Sequence, residues 1–260
     1  MHLLFLAVAL CLCASARAFS VYVSPSGRLL RASRSLLHAE ASALPTVEDV
    51  EKFEFMDAVK ASQQICATLE SSPAEVPQPL LNALLSRPEG MRGFFVTFLT
   101  DESLKSLDDG KTPLSNRVKQ AILAAPAMKI ADIMVKNLIM SAAVEVMHRE
   151  NGDLENADRS ALTVRRAAKV VIEVGGSLNA VRQQLQAARA GITDTLQLRH
   201  TPAVAMGDKD EPQQGYWVGF LESQGYSDDA LAASAQTVDR TYNILLDSLW
   251  GASPEKPFLY

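Results

Sequence analysis

The chain has 260 residues, 48% of them hydrophobic and only 6% aromatic, with 25 Lys and Arg against 30 Asp and Glu and a formal net charge of −5. Residues 1–39 hold four arginines and no acid, so the remainder stands at 21 against 30, or −9, a balance that excludes general nucleic-acid binding because phosphates need a basic face. Alanine and leucine abound and strand-like alternation is scarce, which predicts an all-α protein whose roughly 220 residues beyond the leader can bury a sizeable core.

At the N-terminus the apolar run Leu3 to Leu12 is followed by Ala16-Arg17-Ala18, the small-x-small pattern of a signal-peptidase site. Residues 1–18 therefore read as a signal peptide cleaved between Ala18 and Phe19, too short to anchor in a bilayer. The next stretch, 19–43, carries Arg28, Arg31 and Arg34, is rich in serine and has no acid before Glu40, the composition of an unstructured organelle transit peptide. A signal peptide running directly into such a segment, with Ala-Ser-Ala-Arg-Ala-Phe at the junction, resembles the bipartite presequence of plastid proteins in algae with secondary plastids, where an aromatic residue follows the cleavage site. The resemblance covers only about the first 40 residues and implies a plastid address, stromal or thylakoid-associated. The competing address is secretion. Cys11 and Cys13 lie within the signal peptide, leaving Cys66 and no intramolecular disulfide, and no Asn-x-Ser/Thr site occurs; both features favour the plastid over the extracellular space.

Residues 44–260 are expected as one globular domain. Thr46 and Asp49 resemble a helix cap before an amphipathic run to about Glu70, with Cys66 on its inner face as a small core residue. Prolines between Ser71 and Pro79 mark a connection, Leu80 to Leu85 a short helix, and Gly93 to Thr100 a short buried helix despite its β-branched and aromatic content. Asp108-Asp109-Gly110-Lys111 is a turn, and Thr112-Pro113 is expected to open the next helix, running to about Ala125.

The element around which the domain should be built is Pro126 to Glu150, the longest nearly unbroken apolar segment beyond the leader. Apolar residues cover most of its circumference, so it predicts a central buried helix of roughly 35 Å in an irregular multi-helix bundle. Its charges recur too often for a membrane span. Asn151-Gly152 should stop it, and a helix carrying Arg159, Arg165, Arg166 and Lys169 outward should follow, ending at Gly175-Gly176. Another helix is expected to stop at Gly191, with a long loop over 191–215 and a last helix from Ser227 to Trp250. Gly93-Phe94-Phe95-Val96-Thr97-Phe98-Leu99 and Gly215-Tyr216-Trp217-Val218-Gly219-Phe220-Leu221 echo one another in register, although seven residues are too few to establish a repeat.

The candidate chemistry is a polar stripe on the central helix. Asn137, Ser141, Glu145 and His148 are spaced four, four and three residues apart, along one side. Glu145 and His148 have the Glu-x-x-His spacing of di-iron carboxylate bundles, but half a motif does not make a metal site, and the stripe reads as a solvent-facing or interdomain edge. Met128, Met134, Met140 and Met147 read as adaptable packing. Glycine-rich nucleotide loops, nucleophile elbows and Cys-x-x-Cys are absent from the sequence. The sequence thus points to no catalytic residue, metal or cofactor. It fits a non-catalytic plastid accessory, assembly or structural protein whose partners are other plastid proteins; the alternative is a binder of a small apolar ligand, such as a pigment, lipid or haem-like molecule, walled by Phe94–Phe98 and Tyr216–Phe220.

Overall fold

A computed structural model describes residues 44–200 and 212–250. The signal peptide, the Ala18/Phe19 junction, the transit-like segment to residue 43 and the middle of the expected 191–215 loop lie outside the described residues. Within them the protein is an all-α bundle: α1 (Val47–Val50), α2 (Phe55–Ser71), α3 (Gln78–Leu84), α4 (Pro88–Thr100), α5 (Asn116–Ala124), α6 (Ala127–Glu150), α7 (Leu154–Gly175), α8 (Asn179–His200), α9 (Pro212–Gln224) and α10 (Asp228–Leu249), with 3₁₀ turns at Pro73–Glu75 and Lys105–Leu107.

The bundle is built around α6, which packs on α7, α10 and α8 and touches α4 and α5. Ile130, Ala131, Val135, Leu138, Ile139 and Ala143 are fully buried, as a helix apolar all round requires. Burial ends at Ala143, beyond which Met147, Arg149 and Glu150 are exposed. No helix among the described residues is long and apolar enough to cross a membrane.

Local signals start several helices where the sequence places them. Thr46 and Asp49 form a reciprocal capping box, Thr46 N–H donating to Asp49 Oδ2 at 3.0 Å and Asp49 N–H to Thr46 Oγ1 at 3.2 Å. Ser227 Oγ accepts from Ala230 N–H at 3.2 Å to cap α10. The single run expected from Thr46 to Glu70 is broken, however, after Val50. The break lets α1 lie on α3 while α2 lies along α4, and Arg87 donates across it to the Glu51 carbonyl. Thr112 does not open a helix either: its N–H and hydroxyl donate to Asp109, and α5 begins after Ser115.

Two close crossings rest on glycine. A Cβ on Gly93 would lie 2.6 Å from Ala58 Cβ, so α4 and α2 meet nearly backbone to backbone. Gly191, expected as a helix stop, instead sits inside α8, where a Cβ would come within 2.5 Å of Trp217 Cβ. The helix tolerates this glycine because α9 occupies the space a side chain would need. Both ends of the loop expected over 191–215 are helical instead, since α8 reaches His200 and α9 begins at Pro212. Gly215 has open space around it, so the two glycines that begin the echoing segments have different surroundings.

The largest departure from the expected pattern is on α7. Arg166 and Lys169, expected to face outward, are buried. Arg166 is fully buried and uses all five N–H donors of its guanidinium: Nε and Nη2 grip Asp108 at 2.6 and 3.0 Å, Nη1 donates to the carbonyls of Leu99 and Asp101 at 3.3 and 2.7 Å, and Nη2 to that of Leu104 at 3.1 Å. One turn further on, Lys169 Nζ donates to Thr112 O at 2.7 Å and pairs with Glu173 at 2.8 Å. Glu173 also accepts from Leu114 N–H and pairs with Lys119, each at 2.8 Å. Arg159 and Arg165 stay toward solvent.

Arg166→Met should therefore remove the fork, strand the Leu99 and Leu104 carbonyls and lower stability by about 3–5 kcal/mol, the usual range for breaking a buried ionic cluster from one side. Arg165→Met, on the exposed side of the same helix, should stay within about 0.5 kcal/mol of wild type. Urea denaturation followed by circular dichroism reads both.

Candidate functional site

The stripe Asn137, Ser141, Glu145 and His148 runs along α6 from the core to its corner with α7, and the structure divides it. Asn137 and Ser141 are buried rather than solvent-facing. The Asn137 amide donates to the Ile133 carbonyl one turn back at 2.8 Å, which satisfies a buried polar group within its own helix. Glu145 and His148 lie at the half-exposed end and engage different partners. Glu145 Oε1 accepts from Arg149 Nη2 at 2.9 Å and Nε at 3.1 Å. His148 Nδ1 is 3.9 Å from Asp153 Oδ2 with its side chain 21% exposed, and its buried Nε2 makes no hydrogen bond. Asp153 caps α7, and the donors of Asn156 hold its carboxyl below the usual carboxylate range. No group of three His, Cys, Asp or Glu side chains among the described residues is placed to hold a metal ion.

A second polar cluster forms on the same helix, one turn closer to its start. Lys136 pairs with Asp132 at 3.0 Å, hydrogen-bonds the Tyr216 phenol and lies 4.8 Å above the rings of both Tyr216 and Phe220. The Tyr216 hydroxyl donates on to Asp132 at 3.0 Å. The i,i+4 spacing of Asp132 and Lys136 was legible; their aromatic partners, some 80 residues on, carried no local signal. Burial works against the Lys136 charge, but the Tyr216 oxygen and the Asp132 carboxylate outweigh it and hold the ammonium above its ordinary 10.5. Tyr216 is likewise raised from its ordinary 10.0, chiefly by burial.

The two aromatic segments are seated on different helices. Where α4 meets α2, Phe94 stacks on Phe98 with centroids 4.9 Å apart and meets Phe95 edge-on at 5.6 Å, all three rings buried. Where α9 meets α8, Trp217 is fully buried, donates from Nε1 to Gln184 Oε1 at 2.9 Å and meets Tyr216 and Phe220 edge-on. At the other end of α8, Arg199 and His200 reach Asp228 at 2.7 and 2.9 Å, tying α8 to the first turn of α10. Cys66 is fully buried, and burial pushes its thiol well above the usual range, as expected of a packing residue.

The class that fold and polar clusters define is an all-α bundle with its internal charges engaged in tying helices together. The chain belongs to the family described as Uncharacterised conserved protein UCP020893, whose model matches residues 54–241. No curated protein and no solved structure matches it.

Lys136→Met should loosen α9 from α6 by about 1–2 kcal/mol, seen as faster amide exchange in α9 than in α2. In the wild type the folded state holds the protonated Lys136 and Tyr216 more tightly than the unfolded chain does. The contribution of the cluster is then complete below pH 10.0–10.5 and lost as pH climbs through the raised folded values. A denaturation series from pH 8 to 12 should show this alkaline loss in the wild type and a shallower one in Lys136→Met.

Proposed function

We propose that this is a non-catalytic plastid protein of an alga with secondary plastids, acting through protein contacts as an accessory, assembly or structural subunit. The observation that carries the contact reading is Trp250, 81% exposed at the end of α10 beside the exposed Leu249. Aromatic side chains at a surface are favoured where a partner covers them, because a large rigid ring gains much from losing water at little conformational cost. The internal charges support the reading too: Arg166, Lys169 and Glu173 are engaged in holding the bundle together. The plastid part rests on the sequence of residues 1–43, an apolar signal ending at Ala18 followed by Phe19 and a basic, serine-rich stretch with no acid before Glu40.

Residues 1–44 fused to a fluorescent protein should label the plastid interior, whereas Phe19→Ala should leave the first targeting step intact and hold the reporter outside the inner envelopes. Secretion of the unmodified fusion would defeat the plastid assignment. Affinity purification of the tagged chain from plastids should return a stoichiometric complex, and a strictly monomeric protein would defeat the contact reading.

A further inference from the structure

The start of α8 and the end of α10 lie side by side and antiparallel, as the Arg189–Asp239 pair at 2.6 Å and the Gln186–Tyr242 hydrogen bond show. Between them opens a groove of about 530 Å³. Its two walls differ in chemistry. On α8, Asn179, Gln183 and Gln186 form a row of amides at positions i, i+4 and i+7; on α10, Tyr242, Leu246 and Leu249 form an apolar row with Trp250 at the lip. Among the described residues no carboxylate lines the groove, and its one charge is Arg182. Three of the Arg182 N–H groups donate to the carbonyls of Gly175 and Gly176 and to Asn179 Oδ1, at 2.9, 3.2 and 2.8 Å, so two of the five are not taken up by the described residues and can meet a ligand.

We propose that this groove receives an extended peptide segment of a partner protein that carries an acidic side chain close to an apolar one. The proposal rests on the protein-contact reading above and names the kind of partner. Side-chain amides both donate and accept, and along α8 they rise about 6 Å from Asn179 to Gln183 and about 4.5 Å from Gln183 to Gln186, so the first step lies near the two-residue repeat of an extended chain, about 6.7 Å. The backbone of such a segment pairs with the amide wall while alternate side chains face the apolar wall. A carboxylate completes the guanidinium of Arg182 in a groove with no acid among its described residues, on a protein whose net charge disfavours acidic approach elsewhere. A purely apolar ligand would leave the Gln183 amide and the remaining Arg182 N–H groups unanswered.

The test pans a phage-displayed random dodecapeptide library on the full chain, then measures the enriched peptides by calorimetry on the wild type, Trp250→Ala and Gln183→Glu. Both substitutions fall on exposed side chains, and equal thermal midpoints would show that the fold survives them. The expected result is an enriched pattern of an acidic residue within a few positions of an apolar one, with each variant weakening binding by about tenfold or more. Enrichment of nothing, enrichment without acids, or binding indifferent to both variants would overturn the proposal. So would a chain lacking residues 252–260 that binds about tenfold tighter, which would assign the groove to the chain itself, or a dimer abolished by Trp250→Ala, which would assign it to a second copy. A stoichiometric plastid complex that persists with both variants would refute the groove while leaving the contact reading intact.

Discussion

Arg166 is the interaction on which the N-terminal half of the bundle depends. Removing a guanidinium from water is expensive, and the expense is offset only when every donor finds a partner in good geometry. Arg166 meets that condition through Asp108 and three main-chain carbonyls, all between Leu99 and Asp108. The segment joining α4 to α5 is thus wrapped around a side chain of α7. Because Lys169 and Glu173 extend the same contact to Thr112, Leu114 and Lys119, the whole connection is read out from one face of one helix. An apolar residue at 166 would bury well but could not tell this loop path from another, and the requirement for five acceptors at fixed positions makes the cluster specific.

The same demand for close approach explains the two glycine crossings. Gly93 and Gly191 both sit within helices, where glycine is intrinsically unfavourable by about 1 kcal/mol relative to alanine. The helices accept that loss because backbone contact brings a large aromatic neighbourhood under cover: Phe94, Phe95 and Phe98 at one crossing, Trp217 at the other. The seven-residue echo does not carry over to these crossings, since the tight glycine belongs to the aromatic helix in the first case and to its partner helix in the second.

What could be read from the sequence divides along the same line. The all-α class, the central helix and the caps at Thr46 and Ser227 follow from local pattern and propensity, which the structure obeys. The local rules that failed include two with a clear tertiary cause. Glycine after a helical run signals a stop, and Gly191 was such a glycine, but its role was set by Trp217, which is distant in sequence. Charged residues on an amphipathic helix signal an exposed face, and Arg166 broke that rule because its partners lie some 60 residues upstream. Of the candidate stripe, the helical alignment was legible and the exposure was not, since burial of Asn137 and Ser141 depends on how neighbouring helices pack on α6. The Lys136 cluster was half legible, with one partner on its own helix and the other on α9.

The distribution of polarity then separates what stabilises the protein from what is left for a partner. Among the described residues two charged side chains are buried, Arg166 and Lys169 on α7, and these and the half-buried Lys136 are answered by other parts of the fold. Apolar side chains are exposed at several places, Met56 and Leu154 among them, and at one end of α10 Leu249 and Trp250 face solvent opposite a wall of amides. The family model ends at residue 241, one position before Tyr242 begins that apolar wall, while the amide wall on α8 lies within it. The amide wall thus lies inside the matched segment, and the apolar wall is formed by the last two turns of α10. A contact made there would join an amide wall inside the matched segment to an apolar anchor on the last two turns of α10.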